Sequence, residues 1–261
     1  KSNKEVTPWQ LLSLEDEPQQ QFERAKKYGQ QFFYENLTKQ TYKNSKIKLA
    51  YFTPDFYEHA GMINMEGIFK YHNKEKFEIY AFDYGNSNND KTHTRIKKYF
   101  YKFYYIYDLS DERVLEIVKE NKIDIVIHRN GYSQNSRNTL FAKKIAPLQI
   151  SFLGYPGTMG VKFIDYIIAD KIVIPDKNKK FFTEKIIFLP NTYYPTNNGR
   201  VISEKRYKKN DLGIDDESFV FGCFNNSYKI SPNEFTIWMK LLDKIKNSVL
   251  VLLINDELTK K

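Results

Sequence analysis

Four short polar stretches in this sequence carry side chains that could bind a ligand or move a proton. They are residues 55–61 with His59, residues 130–132, residues 153–158, and residues 224–229 ending in Lys229. Each stretch follows, within a few positions, a run of apolar residues that predicts a β-strand. Because the carboxyl ends of parallel strands share one edge of a sheet, where ligands bind in open α/β folds, we expect all four stretches to line one cleft.

Lys229 is the strongest candidate for binding a charged ligand. It lies two residues before Ser231, which together with Pro232 and Glu234 marks the start of a helix. A helix N-terminus carries a partial positive charge and free N–H donors, so a lysine beside it suits a phosphate or diphosphate. A solvated surface lysine is the competing interpretation.

Two histidines follow predicted strands. His59 stands between Glu58 and the Ala60-Gly61 pair that opens the next predicted helix. It could accept a proton or bind a substrate, although a lone histidine is more often a hydrogen-bonded structural group. The role of His128 is open.

The heptapeptide of residues 152–158 breaks a buried strand abruptly. Gly154, Pro156 and Gly157 exclude a continued strand or an immediate helix. They favour a rigid turn with exposed backbone N–H groups, placed where a ligand would bind. An ordinary surface loop is the alternative.

The sequence offers no obvious metal or redox-cofactor site. It contains no D-x-D triplet and no cluster of cysteine and histidine with zinc spacing. Its first strand runs into Thr53-Pro54-Asp55-Phe56 in place of a G-x-G-x-x-G turn, which argues against a hydride-transfer cofactor. We therefore expect neither a metal nor a cofactor.

Composition narrows the class of protein. The chain has 261 residues, 41% of them hydrophobic and 28% charged, which is typical of a globular protein with one large or two small domains. No apolar run approaches the roughly 20 residues of a membrane helix. The single cysteine, Cys223, suits a cytoplasmic protein. The net charge of +9 comes from scattered lysines, so we expect no nucleic-acid partner.

The elements that must position these stretches alternate between strand and helix. Strands are predicted at residues 47–52, 77–84, 103–107, 123–127, 148–153, 166–169 and 185–189, and helices at 61–71, 90–101, 110–121 and 136–144. The strands are apolar on both faces, which indicates a parallel sheet covered on both sides, a Rossmann-like lobe.

We expect three segments along the chain. Residues 1–45 form a helical connector, residues 46–205 form the Rossmann-like lobe with a trailing linker, and residues 206–261 begin a second lobe. The last segment is one βαβ unit, with strands at 219–224 and 248–254. Because a lone βαβ unit cannot bury both faces of its sheet, we expect it to dock on the first lobe or to be part of a longer lobe, and we favour the second.

Four motifs, taken together, resemble the catalytic region of the nucleocytoplasmic O-linked N-acetylglucosamine transferases and their bacterial relatives. They are Thr53-Pro54-Asp55-Phe56 with His59, Asn130-Gly131-Tyr132-Ser133, Leu153-Gly154-Tyr155-Pro156-Gly157-Thr158, and residues 224–232. The resemblance implies a GT-B fold of two Rossmann-like lobes. It also implies inverting, metal-independent transfer of N-acetylglucosamine from UDP-GlcNAc to serine or threonine hydroxyls of proteins.

The same resemblance implies roles for individual residues. Lys229 would stabilise the diphosphate leaving group, and Asn226 would contact the phosphates. His59 matches a histidine proposed as catalytic base and otherwise seen as a substrate ligand. The remaining residues expected to bind substrate are Asn130, Tyr132, Gly154, Tyr155, Pro156, Gly157 and Tyr228.

Departures from the family pattern leave alternatives open. Tyr132 replaces a histidine of many bacterial members, and His128 stands where Asp or Asn is common. The family's nucleotide-reading segment follows the part matched here, so this chain alone is expected to be weakly active or inactive. GDP-fucose, the donor of the SPINDLY branch, is the alternative donor. A non-catalytic protein-binding module is a further alternative, and a basic nucleic-acid binder the last.

Overall fold

The computed structural model describes residues 6–34, 41–86 and 90–253. The chain divides into two compact units, residues 1–200 and residues 201–261. The first unit contains a seven-stranded parallel sheet, and the second contains a two-stranded parallel sheet.

The first unit contains seven strands and six α-helices among its described residues. Strands β1 to β7 are Ile47–Thr53, Phe77–Asp83, Lys102–Tyr105, Ile125–His128, Leu148–Ser151, Tyr166–Ala169 and Lys185–Phe188. Helices α1 to α6 are Pro8–Leu11, Pro18–Gly29, Ala60–Tyr71, Lys91–Lys97, Asp111–Glu120 and Asn138–Ala142, and a 3₁₀ turn covers Asp176–Phe181.

The order of the strands reverses in the middle of the large sheet. The order is β3-β2-β1-β4-β5-β6-β7, so the chain builds outward from β1 in one direction and from β4 in the other. The connections that leave β1 and β4 therefore lead to helices on opposite faces of the sheet, α3 on one and α6 on the other. Such a switch point is where open α/β sheets bind ligands.

Both faces of the sheet are buried, as the apolar strands predicted. Alternate residues of β1 enter opposite cores: Ala50 and Phe52 pack on the side of α5 and α6, and Leu49 and Tyr51 pack on the side of α3. Strands that are apolar on both faces bury side chains under helices on both sides. The predicted parallel α/β sheet is confirmed.

The N-terminal helices pack against the sheet unit instead of forming a separate connector. Ala25 on α2 is fully buried in the core on the α5 side. A Cβ added to Gly29 would lie 2.5 Å from Val161 Cγ1, so α2 approaches closely because residue 29 has no side chain. The ring of Tyr28 lies 4.9 Å from that of Tyr132. The amphipathic pattern showed that α2 has a buried face, but not which surface covers it.

Strand β5 ends at Ser151, two residues before the predicted end. Leu153 has φ 82°, a left-handed conformation outside the strand. The following Gly154 donates its N–H to the carbonyl of Arg129 at 2.9 Å, so the loop after β4 pulls the chain out of the sheet.

The second unit contains β8 (Phe219–Cys223), α7 (Pro232–Lys244) and β9 (Ser248–Leu252), with 3₁₀ turns at Asn210–Leu212 and Ser227–Lys229. The predicted helix start is confirmed: Ser231 is the N-cap of α7, and its hydroxyl accepts the N–H of Glu234. The predicted end of the last strand, residue 254, lies outside the described residues. Across the described ranges, every helix is too short or too polar to span a bilayer.

Candidate functional site

Three of the four polar stretches meet at the carboxyl ends of β1, β4 and β5. They are the loop after β1 with His59, the loop after β4 with Asn130, and the turn after β5 with Gly154. Hydrogen bonds join the first loop to the second and the second to the third, through Asp55 and Arg129. The fourth stretch, with Lys229, belongs to the second unit.

A buried polar network connects the first two loops. The carboxylate of Asp55 accepts hydrogen bonds from the guanidinium of Arg129 and from Asn130 Nδ2, the latter at 3.0 Å. Asn130 Oδ1 in turn accepts from the hydroxyl of Thr53 at 2.9 Å. A buried ion pair needs such additional hydrogen bonds to offset the loss of hydration. Asn130, expected to bind substrate, has its amide committed to the protein on both sides.

Arg129 was not among the predicted site residues. It is 6% exposed and pairs with a carboxylate 74 positions earlier in the chain. One feature of the sequence could have indicated this pair. Arg129 is a charged residue directly after an apolar strand, and the loop after the neighbouring strand contains the acidic Asp55.

His59 lies at the start of α3 and is half-buried. Its Nδ1 accepts the N–H of Gly61 at 3.1 Å and so caps the helix. Burial lowers the pKa of His59, Arg129 lowers it further, and Asp55 opposes the change. The imidazole is therefore neutral near pH 7.

The turn after β5 requires glycine at its second residue. A Cβ on Gly154 would overlap the carbonyl oxygen of Arg129. Pro156 at the tip is exposed and Gly157 is half-exposed. The turn thus exposes Pro156 and part of Gly157 after the carboxyl end of β5.

Two buried tyrosines pack against each other at this turn, Tyr155 in the turn itself and Tyr132 in the loop after β4. Tyr132 and Tyr155 are each 2% exposed, with ring centroids 5.4 Å apart. The hydroxyl of Tyr132 donates to the carbonyl of Met159 at 2.5 Å, and burial raises the pKa of both phenols. These side chains are packed inside the protein, and their contact with substrate stays a prediction.

Glu184 anchors the end of the turn, and the sequence analysis did not predict it as a site residue. Its buried carboxylate accepts from Thr158 Oγ1 and from the backbone N–H of Met159, each at 2.6 Å. Burial raises the pKa of Glu184, and these hydrogen bonds oppose the change. A single acidic residue before β7 gave no local sign of this role.

The predicted residues of the second unit are accessible. Asn226, Tyr228 and Lys229 are exposed and lie in the segment between β8 and α7. Lys229 donates its backbone N–H to the carbonyl of Asn226 at 3.0 Å, and its ammonium lies 6.0 Å from the centre of the Tyr228 ring. Lys229 precedes Pro232, the first residue of α7, by three positions, and its contact with a phosphate stays a prediction.

No three acidic, histidine or cysteine side chains converge as metal ligands within the ranges that the structure describes. Lys229 and the N-terminus of α7, the positive groups that the sequence predicted for binding a phosphate, lie three residues apart in the chain.

Comparison with known proteins gives consistent matches. Residues 22–209 and 200–257 match the model of glycosyl transferase family 41. The chain is 32% identical over 213 residues to the probable UDP-N-acetylglucosamine–peptide N-acetylglucosaminyltransferase SEC of Arabidopsis thaliana, which covers 80% of this chain and 22% of that protein. It is 28% identical over 211 residues to the same plant's SPINDLY, described by the same probable activity, covering 78% of this chain and 22% of that protein.

A further relative is the UDP-N-acetylglucosamine–peptide N-acetylglucosaminyltransferase of Caenorhabditis elegans, 33% identical over 153 residues, or 57% of this chain and 13% of that protein. The chain thus spans about a fifth of the plant relatives and less of the nematode one.

A solved structure matches nearly the whole chain. It is a mutant of the Thermobaculum terrenum O-GlcNAc transferase, with a TM-score of 0.81, 20% sequence identity, and coverage of 94% of this chain and 47% of that chain. At this identity the likeness shows the fold alone, and it confirms the predicted GT-B-type α/β fold.

Proposed function

The chain belongs to glycosyl transferase family 41, and we infer that it is the sugar-transferring part of a protein O-GlcNAc transferase. In this proposal the donor is UDP-GlcNAc and the acceptors are serine and threonine hydroxyls of proteins. The names of the plant SEC and nematode relatives support the donor and the peptide acceptor. Because the chain spans about a fifth of the plant relatives, the activity is proposed for the full-length protein.

The observation that carries this proposal is the meeting of three motif loops at the switch point of the sheet. His59, the network of Asp55 and Arg129, and the glycine turn at Gly154 lie on adjacent loops held by hydrogen bonds. Residues far apart in sequence thus form one rigid rim, and a rigid rim can orient two substrates without paying to order loops.

Transfer with inversion is a single displacement. The acceptor hydroxyl oxygen forms a bond to C1 of the sugar while the bond from C1 to the diphosphate oxygen breaks. The hydroxyl proton leaves to a base, and negative charge develops on the departing UDP. Stabilising that charge is the largest task for the protein.

Lys229 suits this task in the second unit. It is exposed and lies three residues before Pro232, the first residue of the 13-residue helix α7, whose N-terminus carries a partial positive charge. A lysine and a helix terminus can supply the charge that a divalent metal supplies in other transferases, so we propose a reaction without a metal. Asn226 and Tyr228, on the same short turn, would contact the phosphates.

The glycine turn suits the sugar. Gly154 and Gly157 have no side chains that would project from the turn, and Pro156 offers an exposed apolar ring. A flat apolar surface with nearby backbone groups can pack against one face of a hexose.

The free Cys223 is in keeping with a reducing compartment, so we propose the cytoplasm.

A donor assay tests this proposal. Full-length protein is incubated with a mixture of acceptor proteins and radiolabelled UDP-GlcNAc or GDP-fucose, and the label in protein is counted. We expect label from UDP-GlcNAc alone. Label from GDP-fucose alone would show that GDP-fucose, and not UDP-GlcNAc, is the donor. Binding of acceptor proteins without label from either donor would favour a non-catalytic module.

A further inference from the structure

His59, Gly61 and Arg129 form one unit around the first turn of α3. His59 Nδ1 accepts the Gly61 N–H at 3.1 Å. Arg129 Nη2 occupies the place that a Cβ of residue 61 would take, so the guanidinium rests directly on the backbone of Gly61. Any larger residue at position 61 would displace the arginine.

The cap fixes the tautomer of His59. A ring nitrogen that accepts an N–H cannot carry a proton, and a neutral imidazole has one N–H, so the proton of His59 is on Nε2. His93 is the opposite case, because its Nδ1 lies 2.7 Å from the carbonyl oxygen of Phe56, which only accepts. The proton of His93 is therefore on Nδ1.

Asp55 holds Arg129 against this turn. Its carboxylate bonds the guanidinium from the loop after β1, and Asn130 Nδ2 bonds the same carboxylate oxygen at 3.0 Å. Arg129 Nε is buried without a hydrogen-bond partner, so the guanidinium is held through its terminal nitrogens. The pair thus links the position of α3 to the loop after β4.

The charged and titratable groups around His59 come from three elements. Asp55 and Tyr57 belong to the loop after β1, with the Tyr57 ring 5.7 Å from the imidazole. Arg129 comes from the loop after β4. Asp90 at the start of α4 accepts the backbone N–H of Glu58 at 2.5 Å.

We propose that Arg129, held in place by Asp55, is a positioning residue that keeps the first turn of α3 in the geometry in which His59 accepts with Nδ1 and presents its Nε2–H as a donor. His59 then offers a hydrogen bond to a substrate oxygen, and the proton of the acceptor hydroxyl goes elsewhere. Nδ1 is already used as the helix cap, and Nε2 already carries the proton. The statement about substrate rests on the proposed function, whereas the tautomer does not.

Histidine NMR tests the tautomer without any transfer assay. The chain is labelled with [¹⁵N]histidine, and its four histidines are assigned by single His→Gln variants. We expect His59 to show a protonated Nε2 and an unprotonated Nδ1 at pH 7, and His93 to show a protonated Nδ1. A protonated Nδ1 on His59 would overturn the proposal.

Titration of the variants tests the positioning pair. Arg129→Met should raise the pKa of His59, because it removes a cation that lowers it, and Asp55→Asn should lower that pKa further. His72, the C-cap at the other end of α3, is the internal control and should keep its pKa in both variants. An unchanged pKa of His59 in both variants would refute the proposal.

A double variant guards against misfolding. Asp55→Asn with Arg129→Met leaves no unpaired buried charge, which is the main hazard of each single change. Unshifted His72 and His93 signals report an intact fold. We expect the pKa of His59 in the double variant to lie between those of the single variants.

Transfer by the full-length protein separates a donor from a base. Glutamine can present an N–H near the position of Nε2 but cannot accept a proton, so His59→Gln should keep activity within about tenfold, while His59→Ala should lose about 100-fold in kcat. Equal losses in both variants would show that His59 is a base. If the unchanged protein transfers no sugar, the proposed function fails, and the NMR result still decides the tautomer.

Discussion

Thr158 donates its hydroxyl hydrogen to the buried carboxylate of Glu184 at 2.6 Å, and this bond ties the end of the glycine turn to the residue before β7. The same carboxylate accepts the N–H of Met159 at 2.6 Å. The turn that presents Pro156 is therefore anchored at its far end by a residue 28 positions away, outside every motif.

Removing this anchor should destabilise the first unit. Glu184→Ala leaves the Met159 N–H buried without an acceptor, which costs about 1–3 kcal/mol in the free energy of unfolding. Glu184→Gln keeps one carbonyl acceptor and should cost less. Urea unfolding measures both, with Glu75→Ala, an exposed glutamate of the same unit, as the matched control. Equal stability of Glu184→Ala and Glu75→Ala would show that the anchor contributes nothing.

Alanine at residue 154 should disturb the turn itself. The added Cβ meets the backbone oxygen of Arg129, which cannot rotate away as a side chain could. Overpacking of this kind costs about 1–3 kcal/mol. Thermal unfolding of Gly154→Ala should show the loss, while Gly199→Ala, where the nearest atom is a side-chain oxygen at 3.4 Å, should stay near the unchanged protein. An equally stable Gly154→Ala would mean that the close approach is not a constraint.

Asp83 at the end of β2 should make stability depend on pH. Burial raises the pKa of its carboxyl to about 6 in the folded protein, against 3.8 for the ordinary group. Between pH 3.8 and about 6 the Asp83 carboxyl is protonated in the folded state but ionised in the unfolded state. The stabilisation that comes from this difference is fully present below pH 3.8 and is lost as the pH rises through about 6. Above pH 7 the charged group costs about 2–3 kcal/mol.

Asp83→Asn removes that cost and keeps an oxygen to accept the N–H of Gly85, bonded at 2.9 Å in the native protein. Its free energy of unfolding should exceed that of the unchanged protein at pH 7.5, and the two should converge near pH 4. Chemical unfolding at both pH values measures this. A variant that is less stable at pH 7.5 would contradict the raised pKa.

The sequence predicted the parallel sheet because its strands are apolar on both faces, a pattern that is local. It predicted the cap of α7 for the same reason, since Ser231, Pro232 and Glu234 are neighbours. The motif residues followed from the family resemblance.

The supporting contacts could not be predicted, because each joins residues far apart in the chain. The Asp55–Arg129 pair spans 74 positions and the Thr158–Glu184 bond spans 26. The end of β5 was misplaced because Leu153 leaves the sheet to meet a loop that no local pattern reveals. Burial of Tyr132 beneath α2 likewise depends on a helix expected to be a connector.

We propose that Lys229 stabilises the departing diphosphate of a sugar transfer. Single-turnover transfer from UDP-GlcNAc by the full-length protein tests it most directly, comparing Lys229→Ala with Lys240→Ala, which removes another exposed lysine, on α7 itself. We predict that Lys229→Ala lowers the rate by about 100-fold or more with unchanged thermal stability, and that Lys240→Ala does not. Transfer by Lys229→Ala at the unchanged protein's rate would contradict the account.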